Sequence, residues 1–238
     1  YENRANLSSE FLSDIFDTYE GTTLGRQEIY ADLVVDVDGA LWTKQMIEPF
    51  RILPVDGVYP PLHLQKTIIG VDPQIGYTPT SPGKKRNLQV PTQRYGHGSQ
   101  RMGMTGIIVC GLGRFVRGEV QHAYVLEDSS INAKPEDWAK RVVDRFHFHD
   151  ATDIIAETNQ GGEMVKTLIS QVDSYVGSRV QVVSAQAKKH ERAVPVVAKY
   201  QQGRVHHVGY FPELESEMFF YQPGDEDRHR SPNRMDAL

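Results

Sequence analysis

The sequence predicts an α/β fold in which helices flank both faces of a mixed sheet. Two observations carry this. Three short apolar runs follow residue 66, two of them joined by a glycine-rich turn, and helix and strand patterns then alternate through the rest of the chain. Hairpin-linked strands followed by strands separated by helices build a mixed sheet with both faces covered.

Thr67–Val71 (TIIGV) reads as the first, buried strand. Thr105–Leu112 and Val120–Leu126 are the next two, with Gly111, Gly113 and Gly118 supplying the turn of a hairpin between them. Pro135-Glu136-Asp137-Trp138 opens a helix running to Phe148, with proline in the first turn, where its missing N–H is no loss. Ile154–Glu157 is a strand, Gly162–Val172 a helix and Val180–Ser184 a strand. A helix ending near Gly203, a brief strand at Arg204–Val208 and a helix over Pro212–Tyr221 follow.

Residues 1–66 read as a separate, mainly helical linker segment ahead of a domain spanning 67–238. Ser8-Ser9 suits the cap of a helix carrying Phe11, Leu12, Ile15, Phe16 and Tyr19 on one face. A second helix follows Gly21, with Leu24, Ile29, Tyr30 and Leu33. Pro49, Pro54, Pro60 and Pro61 then interrupt regular structure and mark a linker.

The 238 residues, 39% hydrophobic and 24% charged, suit one large domain with an appendage. No run of 18 apolar residues exists to span a membrane. The N-terminus lacks the apolar core of a signal peptide. The single cysteine, Cys110, lies in the apolar run GIIVCGL and reads as a structural thiol in a reducing, intracellular compartment.

Charge is segregated along the chain. From Pro73 to Gly118 there is no Asp or Glu, whereas Lys84, Lys85, Arg86, Arg94, Arg101, Arg114 and Arg117 contribute +7. The net charge is −5, so the remaining residues carry −12. Local basic patches rather than total charge govern phosphate binding, so this stretch suits a polyanionic partner. A solvated charged loop has the same composition. The stretch also holds the 32 residues between Asp72 and Thr105, rich in Gly, Pro, Ser, Thr and Gln. Loops of that length inside a domain are mostly functional or disordered.

Two carboxylates stand at strand ends: Asp72 after Ile68-Ile69-Gly70-Val71, and Glu157 after Ile154-Ile155-Ala156. Carboxylates there project into the crevice where open α/β sheets take ligands. With a third acidic group they can hold Mg²⁺, which retains waters and accepts phosphate oxygens as further ligands. Two such ions, roughly 3.5–4 Å apart, stabilise both attacking and leaving oxygens of a phosphoryl displacement. Plain structural roles also exist: Asp72 before Pro73 can end its strand, and Glu157 can cap the helix that follows.

Other chemistries fail on spacing. Gly76–Lys85 superficially resembles a phosphate loop, but its glycine spacing is wrong and Lys85 stands where Ser or Thr must meet Mg²⁺. His147/His149 and His206-His207 lack the i, i+4 arrangement of a helical zinc site. The first pair reads as surface groups at a helix end. Alternation sends His206 and His207 to opposite sheet faces, so His206 is a candidate for the neighbourhood of the carboxylates. No Gly-x-Ser-x-Gly is present.

The motifs taken together resemble those of the large terminase subunit of tailed double-stranded-DNA bacteriophages. NRANL (3–7), YEGTTLGRQE (19–28) and DGALWT (38–43) are similar to the segment joining that family's ATPase and nuclease domains. IIGVDP (68–73), TGIIVCG (105–111), IIAETNQGGEMV (154–165), YQQGRVHHVGYFPELESEM (200–218) and SPNRMDAL (231–238) resemble its nuclease motifs in order.

The resemblance implies an RNase H-like fold and a Mg²⁺- or Mn²⁺-dependent endonuclease with a two-metal site on Asp72, Glu157 and Asp236. It implies concatemeric double-stranded DNA as substrate, and an ATPase domain, portal protein and small terminase subunit as partners. The setting would be the host cytoplasm, at the procapsid portal. Lys84, Lys85, Arg86, Arg101, Lys188 and Arg192 are the candidate DNA contacts, and the last two equally suit solvated helix charges. Asn159, Gly161 and Gly162 are expected to shape the turn positioning Glu157, with His206 as a further supporting residue. Family members commonly carry an Asp shortly before the second strand, where Gly103 stands here. The rival readings are a junction resolvase or transposase-like nuclease of the same fold, and a DNA- or portal-docking module that does not cut.

Overall fold

A computed structural model describes residues 39–73, 104–157, 162–183, 189–222 and 233–238. The helices expected between residues 8 and 33, and residues 74–103 of the acid-free stretch, lie outside these.

Strands β1 (Leu64–Asp72), β2 (Met104–Gly113) and β3 (Ala123–Asp128) are sequential antiparallel neighbours. The two-residue β4 (Ile131–Asn132) pairs with the start of β2. On the other side of β1, β5 (Asp153–Glu157) and then β6 (Val180–Val183) join in parallel, and β7 (Val205–His207) adds in parallel beyond β3. The sheet order is β6-β5-β1-β2-β3-β7, so β1 and β2 are central.

Alternation along β1 and β2 splits the core in two. Ile69, Val71, Ile107 and Val109 face one side, with Ile154 and Ala156 of β5. Helix α2 (Pro135–Phe148) covers them with Trp138, Ala139, Val142, Val143 and Phe146, and α3 (Gly162–Val172) adds Val165 and Ile169. The other face carries Ile108 and Val125 under α5 (Lys189–Gln201), α6 (Pro212–Phe220) and α7 (Asn233–Ala237). Fully burying one Ile or Val side chain stabilises by roughly 1.5–3 kcal/mol, so each layer is a strong determinant of register.

The segment ahead of β1 belongs to the second layer. Trp42 and Ile47, the latter on the short helix α1 (Lys44–Ile47), are 2% and 1% exposed within it. Ile52 pairs in parallel with Val208, extending the β7 edge.

Most expected boundaries shift by a residue or two, and the first strand starts earlier, at Leu64. The third strand begins at Ala123 rather than Val120, because the turn after β2 is longer and Val120 is 56% exposed within it. Two short elements were not anticipated: β4, and a helix, α4 (Ser174–Ser178), that follows α3. Asp173 caps it, accepting hydrogen bonds from the backbone N–H groups of Tyr175 and Val176.

Candidate active site

Asp72 ends β1 and Glu157 ends β5. The parallel register pairs Val71 with Ala156, so the next residue of each strand lies beside its counterpart. Val71 and Ala156 point to the α2 side, and alternation therefore turns Asp72 and Glu157 to the side of α5 and α7.

The third carboxylate arrives through an unusually close helix. A Cβ at Gly70 would lie 1.8 Å from the Ala237 carbonyl oxygen, and one at Gly106 would lie 1.9 Å from that of Asn233. The backbone of α7 therefore rests directly on β1 and β2, an approach open only to glycine. Further contacts hold α7 in place. Glu217 on α6 accepts hydrogen bonds from the first-turn N–H groups of Arg234 (2.9 Å) and Met235 (3.3 Å). The Arg234 side chain reaches Asp128 (2.9 Å), Glu217 (3.1 Å) and Glu213.

This docking brings Asp236 within electrostatic range of the other two carboxylates. Burial pushes the Asp72 carboxyl up to about 7, and the charges of Asp236 and Glu157 add to the rise against the pull of Lys189 and Arg192. Burial also raises Asp236, opposed by its hydrogen bond from Lys189. Both cations come from the first turn of α5, three residues apart on one face. Lys189 donates to Asp236, and Arg192 Nη1 donates to Glu157 Oε2 at 2.6 Å. Lys189 was not singled out from the sequence, although its i, i+3 relation to Arg192 was a usable signal.

The donors are carboxylate oxygens, which suit a hard divalent ion in chemistry and in charge. As the side chains stand, however, no group of three His, Cys, Asp or Glu among the described residues is gathered closely enough to hold one. Lys189 and Arg192 occupy two of the three carboxylates.

His206 requires a correction. It sits on β7, beyond β3 and β2 from β1, and pairs with Tyr124, whose register places it on the sheet face away from Asp72. Its Nδ1 donates to the Phe50 carbonyl oxygen at 2.8 Å, and its ring stacks on His122 and Tyr124. Strand alternation put one histidine on each face but could not say which. It is His207, fully buried against Glu215 and Tyr200, that shares the face of the carboxylates. His147 is exposed and bonds Asp173, while the more enclosed His149 bonds Glu127. Gly162 is the first residue of α3. Lys84, Lys85, Arg86, Arg101, Gly103, Asn159, Gly161 and Lys188 lie outside the described residues.

A mixed sheet with antiparallel β1–β3, parallel β5 and β6, flanking helices and acidic strand ends defines an RNase H-like domain. The terminase RNaseH-like domain family matches residues 103–238, more than half of the chain, and the chain belongs to that family. Two crystal forms of the large terminase from a thermophilic bacteriophage are similar to it at 10% identity. One has a TM-score of 0.46, covering 100% of this chain and 50% of that one; the other has 0.44, covering 92% and 45%. The chain thus spans about half the length of that terminase. Comparison with curated proteins finds no match. Among the described residues, no helix is long and apolar enough to cross a membrane.

Proposed function

We propose that this chain is the metal-dependent endonuclease domain of a phage packaging terminase, cutting concatemeric double-stranded DNA by phosphodiester hydrolysis. The observation that supports this best is that Asp72 and Glu157, at the ends of two adjacent strands, share one sheet face with Asp236 on a helix seated on glycines. Asp72, Glu157 and Asp236 would together hold Mg²⁺ or Mn²⁺, and the Asp72 carboxyl feels the charge of both other acids. When bound, such ions stabilise the charge developing on attacking and leaving oxygens.

The protein's own part is to hold three acids within range of one another's charge, two of them raised by burial, and to offer cations for the phosphate. Arg192 and Lys189 stand at the rim for the second task. Lys84, Lys85, Arg86, Arg101 and Lys188 are proposed to contact the duplex more widely. An ATPase domain, the portal protein and the small subunit would be the partners, at the procapsid portal in the host cytoplasm.

Plasmid digestion in Mn²⁺ tests the reading. Replacing a group that stabilises transition-state charge costs on the order of 10²–10³ in rate, and Asp72→Ala should show at least that loss. Equal cleavage by both proteins would refute the assignment. One observation favours the rival, a docking module that does not cut: two of the acids are already neutralised by α5. That reading predicts DNA binding with no cleavage by either protein.

A further inference from the structure

We infer that Lys189 and Arg192 are exchangeable counter-cations, which neutralise Asp236 and Glu157 in the metal-free protein and transfer to the phosphodiester when divalent ions enter. The inference rests on the nuclease reading above and adds how that site is kept intact and inactive until it is loaded.

Four features of the site lead to it. The acids lie inside and the cations outside: side-chain exposure is 6% for Asp236 and 11% for Glu157, against 27% for Lys189 and 33% for Arg192. The two cations can therefore withdraw towards solvent without opening the core. Charge also favours exchange. Among the described residues, three carboxylates face two monocations, whereas two divalent ions would more than balance the acids and release both cations.

The third feature is the guanidinium of Arg192, which is only partly satisfied. Its Nη1 meets Glu157, but its Nε is buried with no hydrogen-bond partner. A phosphate, with two oxygens for the guanidinium fork, satisfies more of its donors than one carboxylate oxygen does here. The fourth is Pro195, inside α5, which has no N–H to give to the Glu191 carbonyl, so the turn carrying Lys189 and Arg192 is less firmly tied to the rest of the helix. Room for the movement adjoins the pair, in a cleft lined by Trp42, Val196, Met235 and Asp236 as well as the two cations.

The rival explanation is that these are permanent ion pairs clamping α5 to α7 and β5. The two predict opposite effects on metal binding, so Mn²⁺ titration calorimetry on the full chain without DNA separates them. Wild type, Asp72→Asn, Lys189→Met, Arg192→Met and Lys189→Arg are compared, each with its melting temperature. If the cations compete with metal, Lys189→Met and Arg192→Met bind Mn²⁺ on the order of tenfold more tightly than wild type. Lys189→Arg, which keeps the charge, stays near the wild-type value.

With Ca²⁺ replacing Mn²⁺, the two methionine variants also bind duplex DNA less tightly, each with a salt dependence shallower by about one neutralised phosphate. Unchanged or weaker Mn²⁺ binding in both methionine variants would overturn the exchange, and so would salt dependence equal to wild type. These outcomes leave the nuclease reading standing if Asp72→Asn still abolishes Mn²⁺ binding. If wild type binds no Mn²⁺, or Asp72→Asn binds it equally well, the nuclease reading fails and the exchange fails with it.

Discussion

Asp72, the acid at the end of β1, lies in an environment that makes a signed prediction. Its ordinary value is 3.8, and in the folded protein it is pushed up to about 7 by burial, with the neighbouring acids adding to it. Between those values the folded state binds the proton and the unfolded state does not. Metal-free stability should therefore fall as pH rises from 3.8 to about 7 on account of this group. Asp72→Asn should flatten that part of a melting-temperature profile, and a profile of unchanged slope would contradict the burial argument. Cys110 bears on mechanism from the opposite direction. Its thiol is pushed up to about 12 by desolvation, which disfavours the nucleophilic thiolate.

At the level of the element, α7 is the piece on which the site depends. It is five residues long and makes no strong helix alone, so its position comes from what it touches. Gly70 and Gly106 set its height above the sheet, and Arg234 and Glu217 set its direction. Gly106→Ala would force the Asn233 carbonyl away. The expected cost is roughly 1–3 kcal/mol, the usual range for overpacking, with weakened Mn²⁺ binding through Asp236. Arg234→Met leaves three carboxylates without their shared cation, so it should lower both melting temperature and metal affinity. Normal metal binding by a destabilised Gly106→Ala protein would show that α7 does not position the third acid.

For the molecule as a whole, the segment before β1 is joined to the sheet by a buried polar network as well as by Trp42 and Ile47. Arg51 Nη1 donates to Glu215 Oε1 at 2.6 Å and to the Gly209 carbonyl oxygen, and its guanidinium lies 4.3 Å from the Tyr210 ring centre. Glu215 also accepts from His207 at 2.7 Å, and His207 in turn bonds Tyr200. Burial alone would raise Glu215, but the hydrogen bonds from His207 and Arg51 outweigh it and hold the group at about 2. Its contribution to stability is present above 4.5 and is lost as pH falls towards 2. Breaking a buried pair from one side typically costs roughly 3–5 kcal/mol, and Arg51→Met should show a loss of that order in urea denaturation. The basic stretch belongs to this scale as well. Replacing Lys84, Lys85 and Arg86 together should flatten the salt dependence of duplex binding by about 0.9 for each phosphate no longer neutralised. An unchanged slope would remove the stretch from the interface.

Much of this was legible locally. The apolar runs ending in Asp72 and Glu157, the Pro135 helix start and the alternation of the later elements depend on neighbours only a few residues apart. Those patterns gave the mixed sheet and two candidate acids, while Asp236 came from family resemblance alone. What tertiary structure decided were the non-local matters. Strands β1 and β5 lie more than 80 residues apart in sequence, and only their register sets Asp72 beside Glu157. Which of two adjacent histidines faces the site depended on how β7 pairs with β3, and it was not the one expected. That Lys189 and Arg192 sit on the acids required α5 to meet α7 and β5, an arrangement of side chains that no periodicity encodes. The sequence by itself determined which residues end up at strand ends; the packing of a short helix on two glycines determined that a third acid joins two of them in one site.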